Sequence, residues 1–186
     1  MITKGIQFKN FREKKFSKNI KKNLELLLKQ NNSIIKSLKN TYKDSYKLKN
    51  IKKFKNISNI RIIGMGGSSL GTQAIYDFLK KKIKKKISFI ENLKNNNDID
   101  NNKSFLNLVV SKSGETVETI VNANIYIRKN DKNIFITENK KNYLNTLAAK
   151  LKSDVIHHNN FIGGRYSVLS EVGMLPAELM GLNPIK

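Results

Sequence analysis

The sequence predicts an α/β fold: a doubly wound parallel sheet of five strands, flanked by helices and preceded by an N-terminal helical arm. Three observations lead there. From Ile60 onward, five short apolar runs alternate with stretches of helical period, the rhythm of crossover units around a parallel sheet. Two of those runs open directly into small and hydroxylated residues, at 64–71 and 111–119. Strands behave so when the next helix offers its N-terminus to an anion. Before Ile60 the chain is Lys-rich, with apolar residues spaced for helix instead.

The arm comes first. Ile20, Leu24, Leu27, Leu28, Ile34, Ile35 and Leu38 give one or two amphipathic helices between residues 10 and 54, with a break near Asn31 and Asn32. Its polar face is basic, but Phe11, Phe16, Tyr42, Tyr46 and Phe54 form no single stripe. An arm packed on the domain is therefore preferred to a membrane-surface helix. Strands are expected at 61–64, 87–90, 106–111, 133–137 and 154–157, and helices at 70–82, 116–129, 143–151 and 166–180. The Asn/Asp-rich run 94–103 reads as a solvent loop. This division gives an arm over 1–57 and one α/β domain over 58–186.

Composition narrows the class. At 186 residues with 39% hydrophobic content, the chain can bury one domain core and is short for two. There are no cysteines, which removes disulfides, thiolate catalysis and cysteine-ligated metals. No apolar run approaches the roughly 20 residues of a membrane span, and no signal-peptide order opens the chain, so the expected compartment is the cytoplasm. The net charge of +22 first suggests nucleic acid. Only Arg12, Arg61, Arg128 and Arg165 are arginine, however, whereas base and phosphate recognition favours the guanidinium fork. Lysine also travels with asparagine, as at Lys94-Asn95-Asn96-Asn97, and both have A/T-only codons. The charge is read as an AT-rich genome's composition, with no specific nucleic-acid partner.

The motifs carry more. In Gly64-Met65-Gly66-Gly67-Ser68-Ser69 the glycines allow a tight turn and close approach of a ligand to the backbone, and Ser68 and Ser69 can cap the next helix or meet a sugar oxygen. As a dinucleotide fingerprint it lacks the third glycine, and the second strand ends in no clear acid beyond Glu91. In the second turn Ser111, Ser113 and Thr116 supply hydroxyls, Gly114 an unusual backbone angle, and Lys112 a charge. The following helix adds free N–H groups and a partial positive charge. A phosphate dianion wants this set; a Ser/Thr helix cap is the plainer alternative. Arg165 follows Gly163-Gly164 at a helix start. His157 and His158 end a strand, with too few neighbouring ligands to suggest a metal.

With these segments side by side, the chain resembles the glucose-6-phosphate isomerase family of the sugar-isomerase (SIS) fold group. Ile63-Gly64-Met65-Gly66-Gly67-Ser68-Ser69-Leu70-Gly71 is similar to the family's Gly-x-Gly-Gly-Ser-x-Leu-Gly-Pro turn, with Thr72 at the proline. Ser111-Lys112-Ser113-Gly114-Glu115-Thr116-Val117-Glu118-Thr119 is similar to its phosphate loop, and Gly163-Gly164-Arg165-Tyr166-Ser167 to its Gly-Gly-Arg-Tyr-Ser segment. The resemblance implies a SIS-type domain that interconverts glucose 6-phosphate and fructose 6-phosphate through an enediolate, in glycolysis and gluconeogenesis. It places Ser111, Lys112, Ser113 and Thr116 on the phosphate, Gly67 and Ser68 beside the sugar, and Arg165 near the reacting carbons as the catalytic residue. No metal or organic cofactor is implied, and the full-length protein is expected to be a homodimer. The family's general base and its ring-opening histidine and lysine lie beyond the third motif, and His157 and His158 do not match that histidine. The chain is thus expected to be an N-terminal portion, inactive alone. The alternative is a non-catalytic phosphosugar-binding module.

Overall fold

The computed structural model describes residues 18–37, 39, 41–93 and 104–184. The part of the expected arm before Lys18, Leu38, and the expected loop at 94–103 lie outside the described residues. The chain divides into two compact units, Met1–Tyr42 and Lys43–Lys186. In the first, α1 (Lys18–Lys29) and α2 (Ser33–Ser37) are separated where the break was expected. Asn32 makes it: its Oδ1 accepts from the Ile35 N–H at 2.9 Å, satisfying a donor that the new helix leaves open.

The second unit begins with α3 (Leu48–Ile51) and a 3₁₀ turn, Lys52–Phe54. The sheet follows: β1 (Asn59–Gly64), α4 (Leu70–Leu79), β2 (Lys86–Ile90), β3 (Leu106–Val110), α5 (Val117–Tyr126), β4 (Lys132–Thr137), α6 (Tyr143–Lys150), β5 (Asp154–His157) and α7 (Glu171–Leu179). All pairings are parallel, in the order β2-β1-β3-β4-β5. This is the doubly wound, SIS-type α/β arrangement. Its order reverses between β1 and β3, and in such sheets ligands bind beyond the carboxyl ends of the strands at that switch.

Strands covered on both faces are apolar in consecutive positions, and Ile62-Ile63 and Leu108-Val109-Val110 show why. Ile60, Ile62, Leu106, Leu108, Val110, Ile134 and Ile136 pack on one face with Val172, Leu175 and Leu179 of α7. Ile51 and Phe54 join the same cluster, so residues 48–54, grouped with the arm on sequence, contribute to the core of the sheet-bearing unit. Ile63, Val109 and Phe135 pack on the other face with Ala123 and Tyr126 of α5 and Leu144 and Ala148 of α6. Each such large side chain taken out of water contributes roughly 1.5–3 kcal/mol.

One row departs from this pattern. Arg61, Asn107 and Asn133 are register partners on β1, β3 and β4, and all three are buried. Arg61 Nη1 donates to Asn107 Oδ1 and to the Tyr126 carbonyl, each at 3.0 Å, and the guanidinium lies 3.9 Å from the Phe105 ring centroid. Asn107 Nδ2 donates to Asp131 Oδ2 and Asn133 Oδ1, each at 2.9 Å. Burial lowers the Arg61 pKa and Asp131 opposes the shift. A guanidinium keeps its charge in such a setting, so the neighbouring acceptors are what make its burial tolerable.

The last expected helix divides in two, a 3₁₀ segment Gly164–Leu169 and α7. Ser170 stands extended between them, its Oγ donating to the Ser167 carbonyl at 2.7 Å. Inside α7, Pro176 has no N–H for the Val172 carbonyl; Thr72 Oγ1 donates to it instead, at 3.1 Å. That bond ties α7 to α4.

Candidate functional site

The three sequence motifs meet at the carboxyl ends of β1 and β3. β1 ends in a 3₁₀ turn, Gly66–Ser68, with Gly66 at φ +57°. Gly67 lies so close to the third motif that a Cβ there would stand 2.3 Å from the Gly164 carbonyl oxygen and 2.8 Å from the Arg165 nitrogen. Ser167 Oγ, donating to the Gly164 carbonyl at 2.7 Å, stiffens the same contact. Ser69 occupies the N-cap of α4 without capping it: its Oγ bonds the Glu91 carboxylate at the end of β2. The cap that Ser69 could have supplied is absent, and its hydroxyl instead donates to the Glu91 carboxylate. Ser68 and Gly67 remain half-buried beside it.

The second turn concentrates hydroxyls. Ser111 Oγ lies 2.9 Å from Thr116 Oγ1 and 3.5 Å from Ser113 Oγ. The Gly114 and Glu115 N–H groups donate to Ser111 Oγ and Ser113 Oγ, both at 3.2 Å. Gly114 sits at φ +70°, and a Cβ there would stand 2.2 Å from the Asn142 side chain, so its absence makes the room that Asn142 fills. Thr116 is the N-cap of α5, yet its side chain makes no capping bond. Its hydroxyl lies against Ser111 instead, and the first turn of α5 keeps open donors.

Lys112 takes a different course from the hydroxyls. Its Nζ donates to the Asn160 carbonyl at 2.7 Å and lies 3.6 Å from Glu138 Oε1. Glu138 also holds Lys140 at 2.8 Å, and its pKa is lowered, first by the hydrogen bond from Lys140. Lys112 thereby ties the second turn to the loop preceding Gly163. Arg165 projects from the 3₁₀ segment and is exposed; among the described residues no hydrogen bond or ion pair engages its guanidinium.

That loop is anchored from below. The buried His158 donates its N–H to the Thr137 carbonyl at 2.8 Å, and the Asn159 N–H donates to Glu171 Oε1 at 3.1 Å. Burial lowers the His158 pKa, and Glu171, 3.9 Å away, pulls it back up. His157 Nδ1 accepts from the Asn139 N–H at 3.0 Å. Both histidines are thus engaged in holding the loop and strand ends. Among the described residues, no cluster of three or more His, Cys, Asp or Glu could hold a metal ion.

Glu91, Glu138 and Asn160 organise the site and escaped the motif reading, because each acts from a strand end or loop without a pattern of its own. Only Glu91 gave a signal, as the one acid closing the second strand. A cleft of about 540 Å³ opens elsewhere, where β4 and β5 begin. Converging donors mark the motif end of the sheet.

A family model described as phosphoglucose isomerase matches residues 28–185. The chain belongs to that family. It is 35% identical over 159 residues to the glucose-6-phosphate isomerase of Acholeplasma laidlawii, covering 74% of this chain and 37% of that protein. The Mycoplasma genitalium glucose-6-phosphate isomerase is 33% identical over 151 residues, covering 72% of this chain and 35% of the relative. The chain therefore spans little more than a third of the length of these two relatives. Among solved structures, a hypothetical protein from Thermus thermophilus superposes with a TM-score of 0.64 at 23% identity, covering 74% of this chain and 37% of that one. That likeness supports the fold alone.

Proposed function

We propose that this chain provides the phosphate cradle and the catalytic arginine of a glucose-6-phosphate isomerase. The uncapped N-terminus of α5 under three clustered hydroxyls carries the reading. A phosphate there accepts from Ser111, Ser113 and Thr116 and from the open backbone N–H groups, while the helix end supplies partial positive charge. Lys112 contributes at longer range, since Glu138 and Asn160 already hold its ammonium. With the phosphate so placed at the switch point, the sugar runs toward Gly67, Ser68 and Arg165.

Arg165 is the fixed cation beside C1 and C2. In the aldose–ketose interconversion a proton leaves one carbon, charge develops on the neighbouring oxygen as the enediolate forms, and the proton returns to the other carbon. A permanently charged fork stabilises that oxygen without a proton transfer of its own. The proton-moving base and the ring-opening groups are supplied by family sequence beyond the third motif, so residues 1–186 bind substrate without turning it over. The full-length protein is a cytoplasmic glycolytic homodimer on this reading.

Titration of fructose 6-phosphate into the chain is the test. Two or three charge-assisted hydrogen bonds of roughly 1.5–3 kcal/mol each, offset by several kcal/mol of ordering cost, give a Kd of about 1 mM. Ser113→Ala combined with Thr116→Val abolishes binding. Unchanged affinity in that double variant would sink the cradle. An enediolate mimic bound more tightly than the sugar phosphate, with the difference lost in Arg165→Ala, separates the isomerase from a non-catalytic phosphosugar sensor.

A further inference from the structure

The cleft where β4 and β5 begin lies at the opposite end of the sheet, a strand length of roughly 17–20 Å from the motifs. Its floor is apolar, from Phe54, Ile57 and Leu151, and Lys129, Lys132 and Lys152 line its walls. Two carboxylates also border it, and both are committed. Asp154 pairs with Lys53 at 2.7 Å, and Asp131 accepts from the Phe105 and Arg128 N–H groups and from Asn107. Among the described residues, no carboxylate pairs with the ammonium groups of Lys129, Lys132 or Lys152. Three cations around one concavity repel one another until an anion enters.

Asn133 sharpens the case. It is 8% exposed and borders the cleft. Its orientation follows from the buried row: Arg61 donates to Asn107 Oδ1, so Asn107 must present Nδ2 to both Asp131 and Asn133. Asn133 therefore accepts with Oδ1. Its own Nδ2, a donor, has no hydrogen-bond partner among the described residues, which leaves it to water or to a ligand. The backbone adds a third sign. Lys152 stands at φ +49°, the one non-glycine residue described with positive φ. It closes α6 with Lys152 N–H to the Ala149 carbonyl at 3.1 Å and Ser153 N–H to the Ala148 carbonyl at 2.9 Å, a helix ending that ordinarily takes glycine. Lysine there strains the backbone and places a cation at the cleft.

We infer that this cleft is a second anion site, taking one small phosphate-bearing molecule. Three cations and an amide donor outnumber the two carboxylates, which already have partners, and a phosphate dianion offers enough oxygens for all of the donors. The apolar floor suits a compact organic body, and the volume lies within the roughly 300–1,000 Å³ of small-molecule sites.

The test uses the isotope-labelled chain carrying Ser113→Ala and Thr116→Val, so that the first cradle is silent, with inorganic pyrophosphate as the probe at moderate salt. Saturable binding is expected, with a Kd of about 1 mM or below and the Asn133 side-chain amide among the resonances that shift. Lys132→Ala with Lys152→Gly weakens binding tenfold or more, while Lys152→Gly alone raises the melting temperature. Lys150→Ala, at an exposed lysine of α6 that does not line the cleft, leaves affinity unchanged. Three results would overturn the site. They are no binding at roughly 10 mM, equal losses from Lys150→Ala and the cleft variants, and shifts spread over surface lysines without Asn133.

Discussion

An alanine at Gly67 would place its Cβ 2.3 Å from the Gly164 carbonyl oxygen, 2.5 Å from its carbon and 2.8 Å from the Arg165 nitrogen. Carbon atoms rest near 3.5–4.0 Å from their neighbours, so the two segments must part by about 1 Å. All three obstructing atoms are backbone, with no rotamer to turn aside. Overpacking of this kind costs about 1–3 kcal/mol, and the absence of a soft neighbour puts Gly67→Ala toward the upper value. Gly164→Ala is the internal comparison, because nothing lies within 4 Å of a Cβ at Gly164. Urea denaturation of both variants measures the difference, and titration of an enediolate mimic follows its consequence at Arg165. A displacement of about 1 Å is enough to cost up to roughly 10²-fold at a reacting centre. Equal stabilities for the two variants would mean that the first and third motifs do not touch as described, and the shared site would fall with that contact.

Two further outcomes are expected. Tyr46 Oη donates to Glu178 Oε1 at 3.0 Å, while Oε2 of the same carboxyl is buried without a partner, and burial raises the Glu178 pKa. Tyr46→Phe leaves both oxygens unserved and should cost about 1 kcal/mol or more in urea denaturation; no loss would mean that water reaches the carboxyl. For His158, whose pKa is lowered mainly by burial, the folded chain holds the imidazole neutral. Its contribution is complete above the ordinary value of 6.5 and declines as pH falls through it, because the unfolded chain then takes up a proton that the folded chain refuses. Thermal melts from about pH 7 to about pH 5 should show that decline, and His158→Gln should flatten it; an unchanged slope would assign the effect to another group.

Much of this was legible because strands and turns announce themselves locally. The five apolar runs became the five strands, with ends shifted by no more than two residues. The Gly/Ser turns fell at strand ends, and Asn32 broke the arm. Helix ends were harder to place. α5 stops at Tyr126 rather than Lys129, because Ile127 turns extended and Asp131 draws the Arg128 N–H into a turn at 3.2 Å. The unbroken helix expected at 166–180 missed the extended Ser170, since its apolar spacing continues across the break. Contacts made over long sequence separations left no local trace. Thr72 serving a carbonyl opposite Pro176, Lys112 reaching Asn160, and Ile51 and Phe54 entering the core all depend on the fold being assembled first.

The buried row of Arg61, Asn107 and Asn133 decides something the apolar residues cannot. Consecutive isoleucines, leucines and valines suit either face of the sheet, so hydrophobic pattern alone barely distinguishes one alignment of β1, β3 and β4 from its neighbour. Sliding any of the three by one residue would turn its polar side chain through the sheet. The guanidinium or carboxamide would then sit among Leu106, Leu108 and Ile134, with no acceptor in reach. The row works as a key cut across three strands, open in one alignment only. Because the strand ends carry the turns, the same key fixes how far Gly64 and Val110 extend side by side. The end of the sheet that carries the three motifs is thereby aligned from its opposite end.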